Sequence, residues 1–215
     1  MKTITFRGSQ ELSHSSYNLC MGIALLWGFL LNWWMVASIP SAAVAGISPW
    51  LILIGYLVSA FAGSFIMAAS QTPVWSFVGY NLIAAPIGII LVLVLPGYSS
   101  EVITQALQTT VVVTCAMMFL ATAFPRFFLS IGSALFWGLL IALVAQLIMV
   151  FAFKAHLGVM DWIIAIIFCG YIGYDWARAS SRPKNLNNAV LSAGNLYLSI
   201  INLFMRTLSL INPKS

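Results

Sequence analysis

Residues 170–211 read GYIGYDWARASSRPKNLNNAVLSAGNLYLSIINLFMRTLSLI, and this stretch decides the fold. An apolar segment runs into Tyr174-Asp175, a basic turn follows at Arg182-Pro183-Lys184, and a last apolar segment carries a row of polar residues. The row is Asn188, Ser192, Asn195, Ser199, Asn202 and Arg206, spaced 4, 3, 4, 3 and 4 residues apart. That alternation places all six on one stripe of an α-helix. In so hydrophobic a chain, such a stripe packs against protein or lines a wet cavity.

Outward from this stretch the rest of the chain is just as apolar. Of 215 residues, 62% are hydrophobic and 6% charged, and the mean hydropathy is +1.02. A soluble domain carries about 25% charged residues. The expected class is therefore an all-α polytopic membrane protein. Seven segments are long enough to cross roughly 30 Å of hydrocarbon. They are Tyr17–Ile39, Trp50–Ala69, Trp75–Leu95, Val102–Ala123, Ile131–Phe153, Val159–Ser180 and Asn188–Ile211. Breaks fall at Pro40 and Pro49, Gln71-Thr72-Pro73, Pro96-Gly97-Tyr98, Pro125-Arg126, Lys154–Gly158 and Arg182-Pro183-Lys184. Trp33, Trp34, Trp50, Trp75, Trp162 and Trp176 lie near segment ends, as an interfacial belt requires. The organisation is a polar tail at 1–16, a transmembrane domain at 17–211 and a tail at 212–215. A secretory signal cleaved near Val36-Ala37-Ser38 is the alternative for the first segment. Its length and the long polar head favour an uncleaved anchor.

The formal charge is +5 and the pI about 9.3, but Lys and Arg sit in turns rather than in a run. That balance reads as topology in a lipid bilayer, not as nucleic-acid binding. With the N-terminus inside, the inner segments hold Lys2, Arg7, Arg126, Arg178, Arg182 and Lys184, and the outer ones Lys154, Arg206 and Lys214. Six against three puts the N-terminus in the cytoplasm and the C-terminus outside. Cys20, Cys115 and Cys169 fall inside apolar segments without metal-type spacing, so neither a disulfide framework nor a cofactor is expected.

Within the spans, Gly55, Ser59 and Gly63 form a small-residue ladder that lets a neighbouring backbone approach. Pro86 should bend the third segment. Gln105, Gln108 and Gln146 suit interhelical hydrogen bonds, with ion binding as the alternative. Asp161, beside Trp162 at a helix start, is expected to face interfacial water. Asp175 follows an uninterrupted apolar run, and a charge at that depth pairs or faces a cavity. Either Arg178, one turn on, is its partner, or it looks across the hairpin. The mean of 175 and 199 is 187, at the turn, so an antiparallel pair brings Asp175 level with Ser199. Asn195 and Asn202 flank Ser199 on the same stripe. A carboxylate facing a hydroxyl and two amides suits a proton or cation.

Tyr174-Asp175, together with Leu196-Tyr197-Leu198-Ser199-Ile200-Ile201-Asn202-Leu203-Phe204, resembles the C-terminal signature of the Bax inhibitor-1 (transmembrane Bax-inhibitor-motif) family. There the sixth helix ends in Tyr-Asp and the last reads like LYLDxINLF. Leu129-Ser130-Ile131-Gly132 is also similar to the family. The resemblance implies seven transmembrane helices with the last one central. It implies a second aspartate at the place of Ser199, the two sharing a proton in a pH-sensitive calcium leak. Here Ser199 stands instead, and a hydroxyl donor favours an ionised Asp175. The basic cluster some members carry after the second helix is replaced by Ala68-Ala69-Ser70-Gln71. The chain thus resembles a bacterial branch with serine at this position, which includes a modulator of a membrane-bound ATP-dependent protease.

Two functions follow as expectations. One is a regulator acting through a membrane partner such as a quality-control protease. The other is a cation or proton conduit, or leak, lined by Asp175, Asn195, Ser199, Asn202 and Arg206 with Arg178 nearby, where calcium would have Asp175 as its ligand and Arg206 would repel cations. Catalysis is not expected. Asp161 and Asp175 lie about 21 Å apart along one helix, too far for an aspartyl dyad. His14 and His156 lie outside the spans, and Lys154 is at a segment end where retinal chemistry needs mid-helix. The expected location is a bacterial plasma membrane, or the endoplasmic reticulum of a eukaryote.

Overall fold

The computed structural model describes residues 11–152 and 158–212. Lys2, Arg7, Lys154, His156 and Lys214, which entered the charge and histidine readings, lie outside them. Among the described residues the fold is all-α, with nine helices. These are α1 His14–Ser38, α2 Ser41–Ala45, α3 Pro49–Ala69, α4 Pro73–Val94, α5 Ser100–Ala123, α6 Pro125–Ser130, α7 Gly132–Ala152, α8 Gly158–Ser181 and α9 Leu186–Ile211. Seven are long and apolar enough to cross a membrane: all but α2 and α6.

The prolines read as breaks act as helix starts. Pro49, Pro73 and Pro125 open α3, α4 and α6, where a missing N–H costs nothing because the first turn has no acceptor for it. Ser13 caps α1 by accepting from the Ser16 amide at 3.1 Å, so the helix begins at His14 rather than Tyr17. Ser99 caps α5 in the same way, through the Val102 amide. Two short helices were not anticipated. In particular Leu129 and Ser130 close α6, and Gly132 opens α7 after a one-residue corner at Ile131.

The chain packs as two compact units, Met1–Leu91 with Ser181–Gly194, and Val92–Ser180 with Asn195–Ser215. In the first, α3 lies against α4 where two glycines meet. A Cβ on Gly63 would strike the Gly79 carbonyl oxygen, and one on Gly79 would sit 2.6 Å from that of Gly63. One position earlier on that face, Ser59 Oγ donates to the Leu82 carbonyl at 2.5 Å. Gly55 is different: nothing lies within 4 Å of its would-be Cβ, so the ladder works only from Ser59 onward. Helix α4 continues through Pro86.

In the second unit, buried Ala121, Phe128 and Ala177 form a small core between α5, α6 and α8, backed by Met117, Ile131 and Trp176. Trp176 donates its indole N–H to Thr122 Oγ1 at 2.8 Å. The helices differ sharply in burial. In α9, 67% of the most apolar stretch is inside the protein, against 6% in α7 and 11% in α3. The last helix combines a polar stripe with apolar sides, and from Asn187 to Leu208 every residue is buried or half-buried.

Candidate functional site

The second unit holds the site on α8 and the later turns of α9. Ser199 Oγ donates to Asp175 Oδ2 at 2.6 Å, with Ser199 5% and Asp175 7% exposed. A carboxylate at this depth is tolerable only with such donors. Beside it, the Phe128 ring of α6 lies over Gly173, where no side chain would fit, and Tyr174 lies over Gly132. Arg178 is exposed, with its guanidinium 5.8 Å from the centre of the Tyr174 ring. Across the hairpin the carboxylate meets the Ser199 hydroxyl.

The neighbours of Ser199 on the stripe behave less uniformly than their spacing suggests. Asn202 spends its amide N–H on the Leu198 carbonyl of its own helix, at 2.7 Å, and Asn195 is half-buried. Toward calcium, Asp175 and Ser199 offer one carboxylate and one hydroxyl. The ion takes six to eight oxygens, so most of its shell would come from backbone or water. Among the described residues no cluster of three or more His, Cys, Asp or Glu is suited to a metal.

Asp161 corrects the sequence reading. It is 2% exposed and does not face interfacial water. Its Oδ1 receives Arg206 Nη1 at 2.6 Å and its Oδ2 receives Ser209 Oγ at 2.7 Å. Arg206 also donates through Nη2 to Gln146 Oε1 on α7, at 3.0 Å. Tyr98, in the connection before α5, is close enough for the Asp161 charge to act on it; burial and that charge push its phenol up. Gln146 therefore makes an interhelical bond, whereas Gln105 and Gln108 are exposed. The signal for this pair was present. The arithmetic that sets 175 opposite 199 also sets 161 opposite 209, since their mean, 185, falls in the turn.

The first unit holds the start of α9. Ser192 shares a 3.0 Å hydrogen bond with the Tyr17 hydroxyl and accepts from Arg182 Nη1 at 3.3 Å. Asn188 donates to the Pro183 carbonyl. Lys184 Nζ lies 4.5 Å over the Tyr17 ring, and burial holds its ammonium below the usual lysine range. Asn187, off the stripe, was missed: it accepts from buried Ser76 at 2.6 Å and donates to the Ser70 carbonyl at 3.0 Å. A polar residue one place off a regular row gives no periodic signal.

A helical membrane chain with a last helix so buried, and Tyr174-Asp175 bonded to the Leu196–Phe204 motif, now meets its relatives. The family model described as Inhibitor of apoptosis-promoting Bax1 matches residues 11–215. The chain belongs to this Bax inhibitor family. It is 31% identical over 195 residues to an uncharacterized membrane protein of Vibrio cholerae, covering 85% of each chain. It is 36% identical over 117 residues to Protein LIFEGUARD 4 of Arabidopsis thaliana, covering 52% of this chain and 47% of that one. A Golgi anti-apoptotic protein of vaccinia virus (strain Lister) is 31% identical over 115 residues, 53% of this chain and 48% of the viral one. Against the plant and viral proteins the chain thus spans about half of their length. As a Bax inhibitor family protein it is a multi-pass membrane protein with anti-apoptotic homologues and a bacterial one.

Proposed function

We propose that this Bax inhibitor family protein regulates another membrane protein, such as a membrane-bound quality-control protease, without catalysis of its own. The observation that carries this reading is the 2.6 Å hydrogen bond from Ser199 to Asp175. A pair of carboxylates in contact repels, and a proton or a divalent cation relieves the repulsion. A carboxylate bonded to a hydroxyl has no such repulsion to relieve, so the drive to take up calcium is weak here. The alternative, a pH-sensitive calcium leak through Asp175, Asn195, Ser199 and Asn202, loses its switch with the second carboxylate. The viral relative is named a Golgi anti-apoptotic protein, a name that describes an effect on cell death and not a transport activity, and that supports a regulatory role. The location that fits is a bacterial plasma membrane, N-terminus in the cytoplasm and C-terminus outside, or the endoplasmic reticulum for a eukaryotic chain.

Co-reconstitution tests it. Purified protein is placed in liposomes with and without a membrane-bound ATP-dependent protease, and both calcium flux and degradation of a membrane substrate are measured. The expected result is a changed degradation rate, with little calcium flux across about pH 5 to 8. Steep calcium flux with an unchanged degradation rate would overturn the proposal in favour of the leak.

A further inference from the structure

A guanidinium on a helix long and apolar enough to span a membrane requires oxygen partners where water does not reach it, because leaving its charge uncompensated costs several kcal/mol. Arg206 meets that requirement with two oxygens from two helices: Asp161 Oδ1 of α8 at 2.6 Å and Gln146 Oε1 of α7 at 3.0 Å. Ser209, one turn beyond Arg206 on α9, donates to the other oxygen of Asp161 at 2.7 Å. Seen from the oxygens, this is a cage around a positive charge, and the charge is attached to the chain. We propose that Asp161, Gln146 and Ser209 form a monovalent-cation site whose resident cation is the Arg206 guanidinium.

The chemistry sets the class of ligand. One carboxylate supplies a single negative charge, which one monovalent cation balances; a divalent ion would be left with an uncompensated positive charge. Two oxygens aimed at a planar cation suit guanidinium or ammonium groups. The polar stripe of α9 thus ends, four residues beyond Asn202 and about 6 Å along the helix, at a fixed positive charge. A mobile cation reaching this level would find its place taken. Ejecting the tethered group would leave a buried carboxylate and an amide oxygen around a space the size of a guanidinium. This inference does not rest on the regulatory reading above.

Chemical rescue tests it on the purified full-length protein. Arg206→Ala should lower the melting temperature by roughly 10 °C, since breaking one side of a buried pair strands the other charge. Millimolar methylguanidinium should restore most of that loss, and urea at the same concentration none of it. Arg206→Lys keeps a tethered cation, and Asp161→Asn/Arg206→Ala removes both charges. Both should melt above Arg206→Ala and ignore methylguanidinium. An Arg206→Ala protein that ignores methylguanidinium, or a double variant no more stable than Arg206→Ala, would overturn the proposal and make Arg206 a packing residue. If Arg206→Ala cannot be recovered from membranes, the other two decide. Recovery of both at wild-type yield supports the cage, and loss of either overturns it.

Discussion

Ser59 gives its hydroxyl proton to the carbonyl oxygen of Leu82, the oxygen that Pro86 leaves without a helical partner. In an unbroken helix the amide of residue 86 would bond the carbonyl of residue 82, and proline has no amide hydrogen. In hydrocarbon that orphaned oxygen would be costly. The small-residue ladder of α3 and the proline of α4 are therefore one device. Ser59→Ala should destabilise the protein by about 1–3 kcal/mol, the cost of a buried unsatisfied acceptor. Pro86→Ala restores the amide, so in the Pro86→Ala background the Ser59→Ala penalty should shrink to a few tenths of a kcal/mol. Equal penalties in both backgrounds, read from unfolding in a double-mutant cycle, would separate the two residues again.

The same face predicts opposite outcomes for two glycines eight residues apart. A methyl group on Gly63 meets the backbone oxygen of Gly79 and Ile83 Cγ1, the latter at 2.9 Å, and backbone cannot step aside. Gly63→Ala should cost about 1–3 kcal/mol by forcing α3 and α4 apart. Gly55→Ala meets nothing, and should gain up to about 1 kcal/mol from helix propensity alone. Thermal denaturation of the two variants in one detergent checks the sign of each.

This contrast shows where the sequence was legible. Seven spans, their breaks and the level of Asp175 with Ser199 follow from length, periodicity and hairpin arithmetic, which are local or nearly so. The shared helix of Asn188, Ser192, Asn195, Ser199, Asn202 and Arg206 was readable for the same reason, though of the six only Ser192 and Ser199 are fully buried. What escaped depends on which neighbour arrives opposite a residue. Gly55 and Gly63 are identical in sequence terms, yet α4 is close to only one of them. Asp161 beside Trp162 looks interfacial until Arg206 and Ser209 are placed against it. Asn187 carries no periodic mark, and its partners Ser76 and the Ser70 carbonyl lie more than a hundred residues away. The short α6 was hidden because Pro125 reads equally as the end of one helix and the start of the next.

The charge tally predicts a topology that a reporter can check. A fusion after Ser215 should be extracytoplasmic, and residues 182–185, between α8 and α9, should be cytoplasmic. A cytoplasmic signal from the C-terminal fusion would require an even number of crossings and remove one of the seven spans.

Ser199→Asp is the sharpest test of what the serine does. In the wild type the hydroxyl donates to Asp175 Oδ2 at 2.6 Å, so an aspartate at 199 would bring a second carboxylate to the same contact. Two carboxylates at that separation cannot both ionise cheaply, and the pair would hold one proton between them and titrate as a unit. A calcium ion offers another way to relieve the repulsion, through hard oxygen ligands. In liposomes, Ser199→Asp should therefore show calcium flux that varies with pH, where the wild type shows little. Ser199→Ala should show none and should lose about 1.5–3 kcal/mol of stability, because Asp175 keeps its charge and loses a donor. Asp175→Asn in the Ser199→Asp background should abolish the pH dependence, since one carboxylate has nothing to share a proton with. Calcium flux in wild type equal to that of Ser199→Asp would mean that the second carboxylate is dispensable, and the switch would then lie in another part of the protein.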